Sequence, residues 1–169
     1  TLSIGISVYP MGGKTVKELL KNADIAMYRA KERGKNAYEF YTEELNKKVK
    51  RIQRIEMHLS EAISRNELYL HYQPVFNVSN KKIETIEALI RWENDSLGKV
   101  SPVEFIPIAE LTPLIESIGR WVFMTVIKEF ASLSRLAEFS DTKLSINVSA
   151  RQLSSRTFIK DIKQIFSNA

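Results

Sequence analysis

The chain has 169 residues, is 44% hydrophobic, and carries 25 Lys and Arg against 20 Asp and Glu, a formal net charge of +5. That length holds one ordinary domain or two partial ones, and the apolar fraction supports a packed core and excludes wholesale disorder. Cysteine is absent, which excludes a disulfide framework and a thiolate metal site; no apolar run approaches a membrane span, and no signal-peptide pattern is visible.

The positive charge is uneven. Residues 1–66 hold 13 basic and 8 acidic side chains, whereas residues 67–169 hold 12 of each. Without a long basic run, a nucleic-acid polymer is not the expected partner. The sequence does not start with Met, opens directly on a strand pattern, and closes inside a helical one. The expectation is a piece of a longer polypeptide.

Thr1 to Tyr9 reads as a strand, followed by a turn at Pro10-Met11-Gly12-Gly13. Thr15 and Glu18 form a capping-box pair for the next helix, whose apolar stripe is Val16, Leu19, Leu20, Ala23, Met27 and Ala30. Gly34 suits the left-handed position that ends it. Lys31, Arg33 and Lys35 cluster there, either as favourable charge at a helix C-terminus or as phosphate contacts. Ala37 to Tyr41 is a short strand. Thr42 to about Asn66 reads as one long helix with Leu45, Val49, Ile52, Ile55, Leu59 and Ile63 on one side. Such a helix joins two domains or pairs with a second copy in a homodimer, and its basic face is most simply solvated.

Leu68 to Val78 is a strand interrupted by Pro74, and residues 77–82 turn the chain into a second strand, giving a hairpin. In that second strand Ile86, Ala88, Ile90 and Trp92 take one face while Glu87, Leu89 and Arg91 take the other. A carboxylate and a guanidinium on one wall can serve a metal and a phosphate, or can pair with each other inside a sheet. Residues 94–99 read as a loop. Ser101, Pro102 and Glu104 open a helix that Pro107 shortens or kinks. A longer helix follows Pro113, with Leu114, Ile118, Trp121, Val122 and Phe130 on its buried side. Lys143 to Ser149 is a strand with Ser145, Asn147 and Ser149 on its polar face, and a last helix starts at about Arg156. Strands alternating with helices favour a mostly parallel α/β sheet or barrel, with too few strands here to close one. Asn147 is open to reading as a core amide or turn residue, Gln73 as the holder of a backbone bulge, His71 as structural, and Trp92 and Trp121 as core.

Four separated motifs now stand in order. They are Gln73-Pro74 after Tyr72; Glu87-Ala88-Leu89 with Arg91-Trp92; Ser101-Pro102-x-Glu104-Phe105-Ile106-Pro107-x-Ala109-Glu110; and Asn147-Val148-Ser149-Ala150-Arg151-Gln152. Together they resemble the front half of an EAL domain over residues 67–169. That family is similar to a TIM barrel with an antiparallel first strand, and it hydrolyses cyclic di-GMP to linear pGpG. The front of the chain, through Thr1-Leu2-Ser3-Ile4-Gly5-Ile6, Ala23-Asp24-Ile25-Ala26-Met27-Tyr28-Arg29-Ala30-Lys31 and Gly34-Lys35-Asn36, resembles the tail of a GGDEF domain, the family that makes cyclic di-GMP from GTP. The whole reads as the junction of a tandem GGDEF–EAL protein: residues 1–41, a connecting helix at 42–66, and the EAL part at 67–169.

The resemblance implies metal ligation by Glu87 and Asn147, with Mg²⁺ or Mn²⁺ as the cation. It implies substrate contacts from Gln73, Leu89, Arg91 and Arg151, and vestigial phosphate contacts from Lys31 and Lys35. Two divalent cations about 4 Å apart supply much of phosphodiester hydrolysis. The family draws further ligands and its lysine and glutamate catalytic partners from later strands, so the parent is expected to be a cytoplasmic, or membrane-anchored and cytoplasm-facing, phosphodiesterase. The isolated chain is expected to be inactive. Alternatives are a degenerate module that binds cyclic di-GMP or a partner as a switch, and a self-associating structural piece. One departure stands out: where the family reads Glu-x-Thr-Gly-Leu-Ile, this chain has Glu110-Leu111-Thr112-Pro113-Leu114-Ile115, and proline lacks the positive φ open to glycine.

Overall fold

The computed structural model describes residues 1–133, 139, 141–155 and 157–167. The chain forms two compact units, Thr1–Arg54 and Ile55–Ala169.

In the first unit, β1 (Ser3–Ile6), α1 (Val16–Glu32) and β2 (Ala37–Phe40) form a β-α-β element, and the start of α2 (Glu43–Leu59) follows. The two strands are parallel, with Ser3 opposite Ala37 and Ile6 opposite Phe40. The capping box forms as expected: Glu18 N donates to Thr15 Oγ1 at 3.2 Å, and Thr15 N donates to Glu18 Oε2 at 3.1 Å. Gly34 takes φ +107 just past the helix. The apolar stripe differs from expectation. Ala26 and Ala30 are fully buried, whereas Val16 and Leu20 are exposed. Gly5 supplies the reason: a Cβ there would lie 1.9 Å from the Ala23 carbonyl, so α1 lies backbone-close on β1 through its small residues. Larger side chains on the flanks of that contact are left outside.

In the second unit α2 stops at Leu59, short of the expected Asn66. A run of turns continues to Asn66, with Ala62 N bonding Leu59 O and Asn66 N bonding Ile63 O. Ile55, Leu59 and Ala62 are buried. A four-stranded sheet follows, from β3 (Leu68–Phe76), β4 (Ile83–Asn94), β5 (Gly98–Val100) and β6 (Lys143–Ile146). β4 runs through its centre, antiparallel to β3 and β5 and parallel to β6. β5 was not expected; it turns residues 94–99 from a loop into a tight hairpin. Pro74 does not interrupt β3. It sits opposite Ile86, and the register shifts only between Val75 and Phe76. β4 is the one strand that β3 pairs with among the described residues, and an edge strand tolerates a residue without an N–H.

α3 (Pro102–Glu110) starts at Pro102, but Ser101 makes no side-chain cap bond; Pro107 lies inside it. α4 is Leu114–Leu133. The apolar face of β4 lies against these helices: Ile86, Ala88 and Trp92 are buried together with Phe105, Ile115, Ile118, Val122 and Val126. The Trp92 and Phe105 rings meet edge to face at 5.5 Å. Trp121, expected in the core, is only half-buried. Beyond β6 come a single helical turn, α5 (Ala150–Leu153), and then α6 (Phe158–Ser167). β6 ends at Ile146 rather than Ser149, because Ser149 is the N-cap of α5. The expected start of the last helix at Arg156 lies outside the described residues.

Candidate active site

Strand pleating sorts the predicted residues. Gln73 pairs with Glu87, His71 with Leu89, Tyr69 with Arg91, and Glu87 with Ser145. Directly paired residues share a face, so Gln73, Glu87, Leu89 and Arg91 stand on one side of the sheet, opposite the helices. Asn147 follows β6 by one residue and reaches the same side. Its Nδ2 donates to Glu87 Oε1 at 2.6 Å across 60 residues of chain. The two residues expected to hold a metal are therefore adjacent.

Arg91 does not pair with Glu87. Its Nη1 donates to the Ile90 carbonyl at 2.8 Å, and no carboxylate partner is found for it among the described residues. The sheet-internal ion pair is thus set aside, and a half-buried cation stays on the site face. Arg151 is exposed on α5, and its Nη1 donates to the Glu110 carbonyl at the end of α3. Lys31 and Lys35 are exposed at the end of α1 in the first unit. Pro113 fits its loop. Glu116 N bonds Pro113 O, Leu114 N bonds Thr112 Oγ1, and neither Thr112 nor Pro113 needs a positive φ.

The opposite face has its own polar tie. Tyr72, beside Gln73, donates from its hydroxyl to Glu129 Oε2 at 2.5 Å. Burial first, and then the bond and charge of Glu129, push the phenol pKa well up. At the start of β3, the Glu67 carboxylate accepts Trp92 Nε1 at 2.9 Å and Asn94 Nδ2 at 3.0 Å. Burial opposes its charge, yet the Asn94 and Trp92 donors, with the nearby Arg65 and His58, hold its pKa below the ordinary value.

A cavity of about 320 Å³ lies between the ends of β4 and β6 and the α3–α4 pair, lined mainly by Ile106, Ile115, Ile118, Val122, Phe123 and Val148. Leu89, Arg91 and Asn147 border it but Glu87 does not, so it is apolar space beside the polar site rather than the site itself.

The donor chemistry fits a hard divalent cation in part. A carboxylate oxygen and an amide, whose oxygen becomes available if the group turns over, are ligands that Mg²⁺ and Mn²⁺ accept. Two such donors do not enclose an ion, and among the described residues no group of three or more His, Cys, Asp or Glu side chains could hold a metal. Three contacts lie beyond the sequence reading, which names Gln152 and Glu110 only within motifs: the burial of Gln152, its notch at Gly119 and the Glu110 carbonyl that Arg151 meets. The Ser149-x-x-Gln152 spacing, a capping-box signature, was the available signal for the first.

Residues 56–169 match the model of the EAL domain family, and residues 1–37 match that of the diguanylate cyclase GGDEF domain. The chain belongs to the EAL family, preceded by a GGDEF-family segment in the tandem order. It is 42% identical over 155 residues to the biofilm architecture maintenance protein MbaA of Vibrio cholerae, spanning 92% of this chain and 20% of that protein. It is 36% identical over 161 residues to the bifunctional diguanylate cyclase/cyclic di-GMP phosphodiesterase MucR of Pseudomonas aeruginosa, spanning 95% of this chain and 23% of the relative. The chain therefore spans about a fifth to a quarter of these relatives. Among solved structures, the MucR phosphodiesterase in complex with cyclic di-GMP superposes with a TM-score of 0.63 at 30% identity, over 68% of this chain and 46% of that one. The FimX EAL domain of Xanthomonas citri, also in complex with cyclic di-GMP, gives 0.57 at 28% identity, over 73% and 47%.

Proposed function

We propose that this chain is the junction and leading EAL portion of a metal-dependent cyclic di-GMP phosphodiesterase that opens its substrate to linear pGpG. The observation that carries the reading is the Glu87–Asn147 contact at 2.6 Å, on the same sheet face as Gln73, Leu89 and Arg91. Bound divalent cations would polarise the phosphoryl group and favour ionisation of the attacking water. Glu87 and Asn147 supply oxygen donors for such an ion. Arg91 offers several donors in a fixed fork that suits a phosphate. Gln73 gives an amide on the neighbouring strand, and Leu89 presents an apolar surface between Glu87 and Arg91. Arg151, four residues beyond Asn147 on α5, is the further candidate for a phosphate contact. In the GGDEF-family segment, the exposed Lys31 and Lys35 are the candidate phosphate contacts.

The 169-residue chain alone binds too few ligands around the ion to turn over. With Mg²⁺ or Mn²⁺ and cyclic di-GMP, the chain is expected to release no pGpG, while a longer protein containing it hydrolyses the dinucleotide and loses that activity on Glu87→Ala. Hydrolysis that survives Glu87→Ala in the longer protein overturns the metal assignment. Turnover by the chain itself overturns its inactivity. A second reading is a regulatory module that binds cyclic di-GMP without cutting it; tight binding without pGpG in the longer protein would select it.

A further inference from the structure

Asn147 lies beyond the last paired residue of β6, so the sheet ladder alone does not hold it. Its neighbours are anchored instead. Ser149 caps α5 reciprocally with Gln152: Gln152 N donates to Ser149 Oγ at 3.2 Å, and Ser149 N donates to Gln152 Oε1 at 3.1 Å. Gln152 is only 5% exposed, rare for a side chain with two polar ends. What admits it is Gly119, buried in the second turn of α4, where an added Cβ would lie 1.8 Å from Gln152 Nε2. One residue earlier, Arg151 reaches the last carbonyl of α3. The turn after β6 is therefore fastened to α3 by Arg151 and to α4 by Gln152.

We propose that Gln152, seated in the notch left by Gly119, is a positioning residue that holds Asn147 against Glu87. The inference rests on the metal reading above for its purpose, but not for its geometry. Removing the Gln152 amide frees the Ser149 backbone and loosens the three-residue span to Asn147. Filling the notch evicts the same amide from the other side. In both cases the Asn147 amide loses its fixed partner while the sheet and its apolar core stay intact.

The test uses the ¹⁵N-labelled 169-residue chain and follows the Asn147 side-chain amide by NMR, assigned through its loss in Asn147→Ser. Gln152→Ala and Gly119→Ala are each expected to speed its hydrogen exchange roughly tenfold, the loss of about one net hydrogen bond, and to move its shifts to those seen in Glu87→Ala. Ser149→Ala leaves the interior filled and breaks one capping-box bond; it should give a smaller change in the same direction, and it decides the matter if the other variants fail to fold. An Asn147 signal unmoved in Gln152→Ala, or in Ser149→Ala where that variant decides, overturns the proposal. Mn²⁺ added to a longer protein that contains this chain, labelled in the same way, provides the separate check. Selective broadening of Asn147 supports the purpose, whereas no broadening removes the metal reading and leaves the positioning to stand or fall on the exchange data.

Discussion

At the scale of single residues, the site face is a matter of parity. Glu87, Leu89 and Arg91 alternate with Ala88, Ile90 and Trp92, and the pairing with Gln73 and Ser145 carries that alternation across three strands. Arg91, with no carboxylate partner among the described residues, is free to meet an anion. Arg91→Ala in a longer protein is expected to weaken cyclic di-GMP binding about 10- to 100-fold, the value of a charge-assisted hydrogen bond or two; calorimetric titration with and without added salt measures it. This much was legible in the sequence, because strand period and residue chemistry are both local. Gln152 was not. Its importance comes from a glycine more than thirty residues away, and no local pattern announces that a glutamine will be buried in a helix notch.

Elements show the same division. The capping box of α1 was readable from Thr15 and Glu18 alone, and Thr15→Ala should cost about 1 kcal/mol of stability in the first unit, measured by urea unfolding followed by circular dichroism. The path of β3 was misread at Pro74 because position in the sheet, not propensity, decides whether a proline is tolerated. The end of α2 was overestimated because the apolar spacing continues through Ile63, although the backbone leaves the helix after Leu59. There Glu67 joins the turns to β3 and β4. Its folded pKa lies below its unfolded one, so its contribution is present above the unfolded pKa and is lost as pH falls through the folded value. Urea midpoints read from the two tryptophans should therefore separate the parent from Glu67→Gln at neutral pH and converge in acid; equal midpoints at neutral pH would count against the Glu67 tie.

Across the whole molecule, the two units carry unlike sequence families, and the boundary between them falls inside α2, between Arg54 and Ile55. The long β4 strand has a further consequence for how such a chain can vary. It holds the acid, the guanidinium and the largest fully buried side chain among the described residues, Trp92, in one twelve-residue run, read in alternate directions. Inserting or deleting one residue just before Glu87 would exchange the two sets, putting a carboxylate among the helices and Trp92 into water. Insertions of two would keep the parity but slide Glu87 away from Asn147. The 77–82 turn can thus be lengthened without disturbing this parity, whereas the stretch from Ile86 to Trp92 behaves as a reading frame that tolerates neither an insertion nor a deletion.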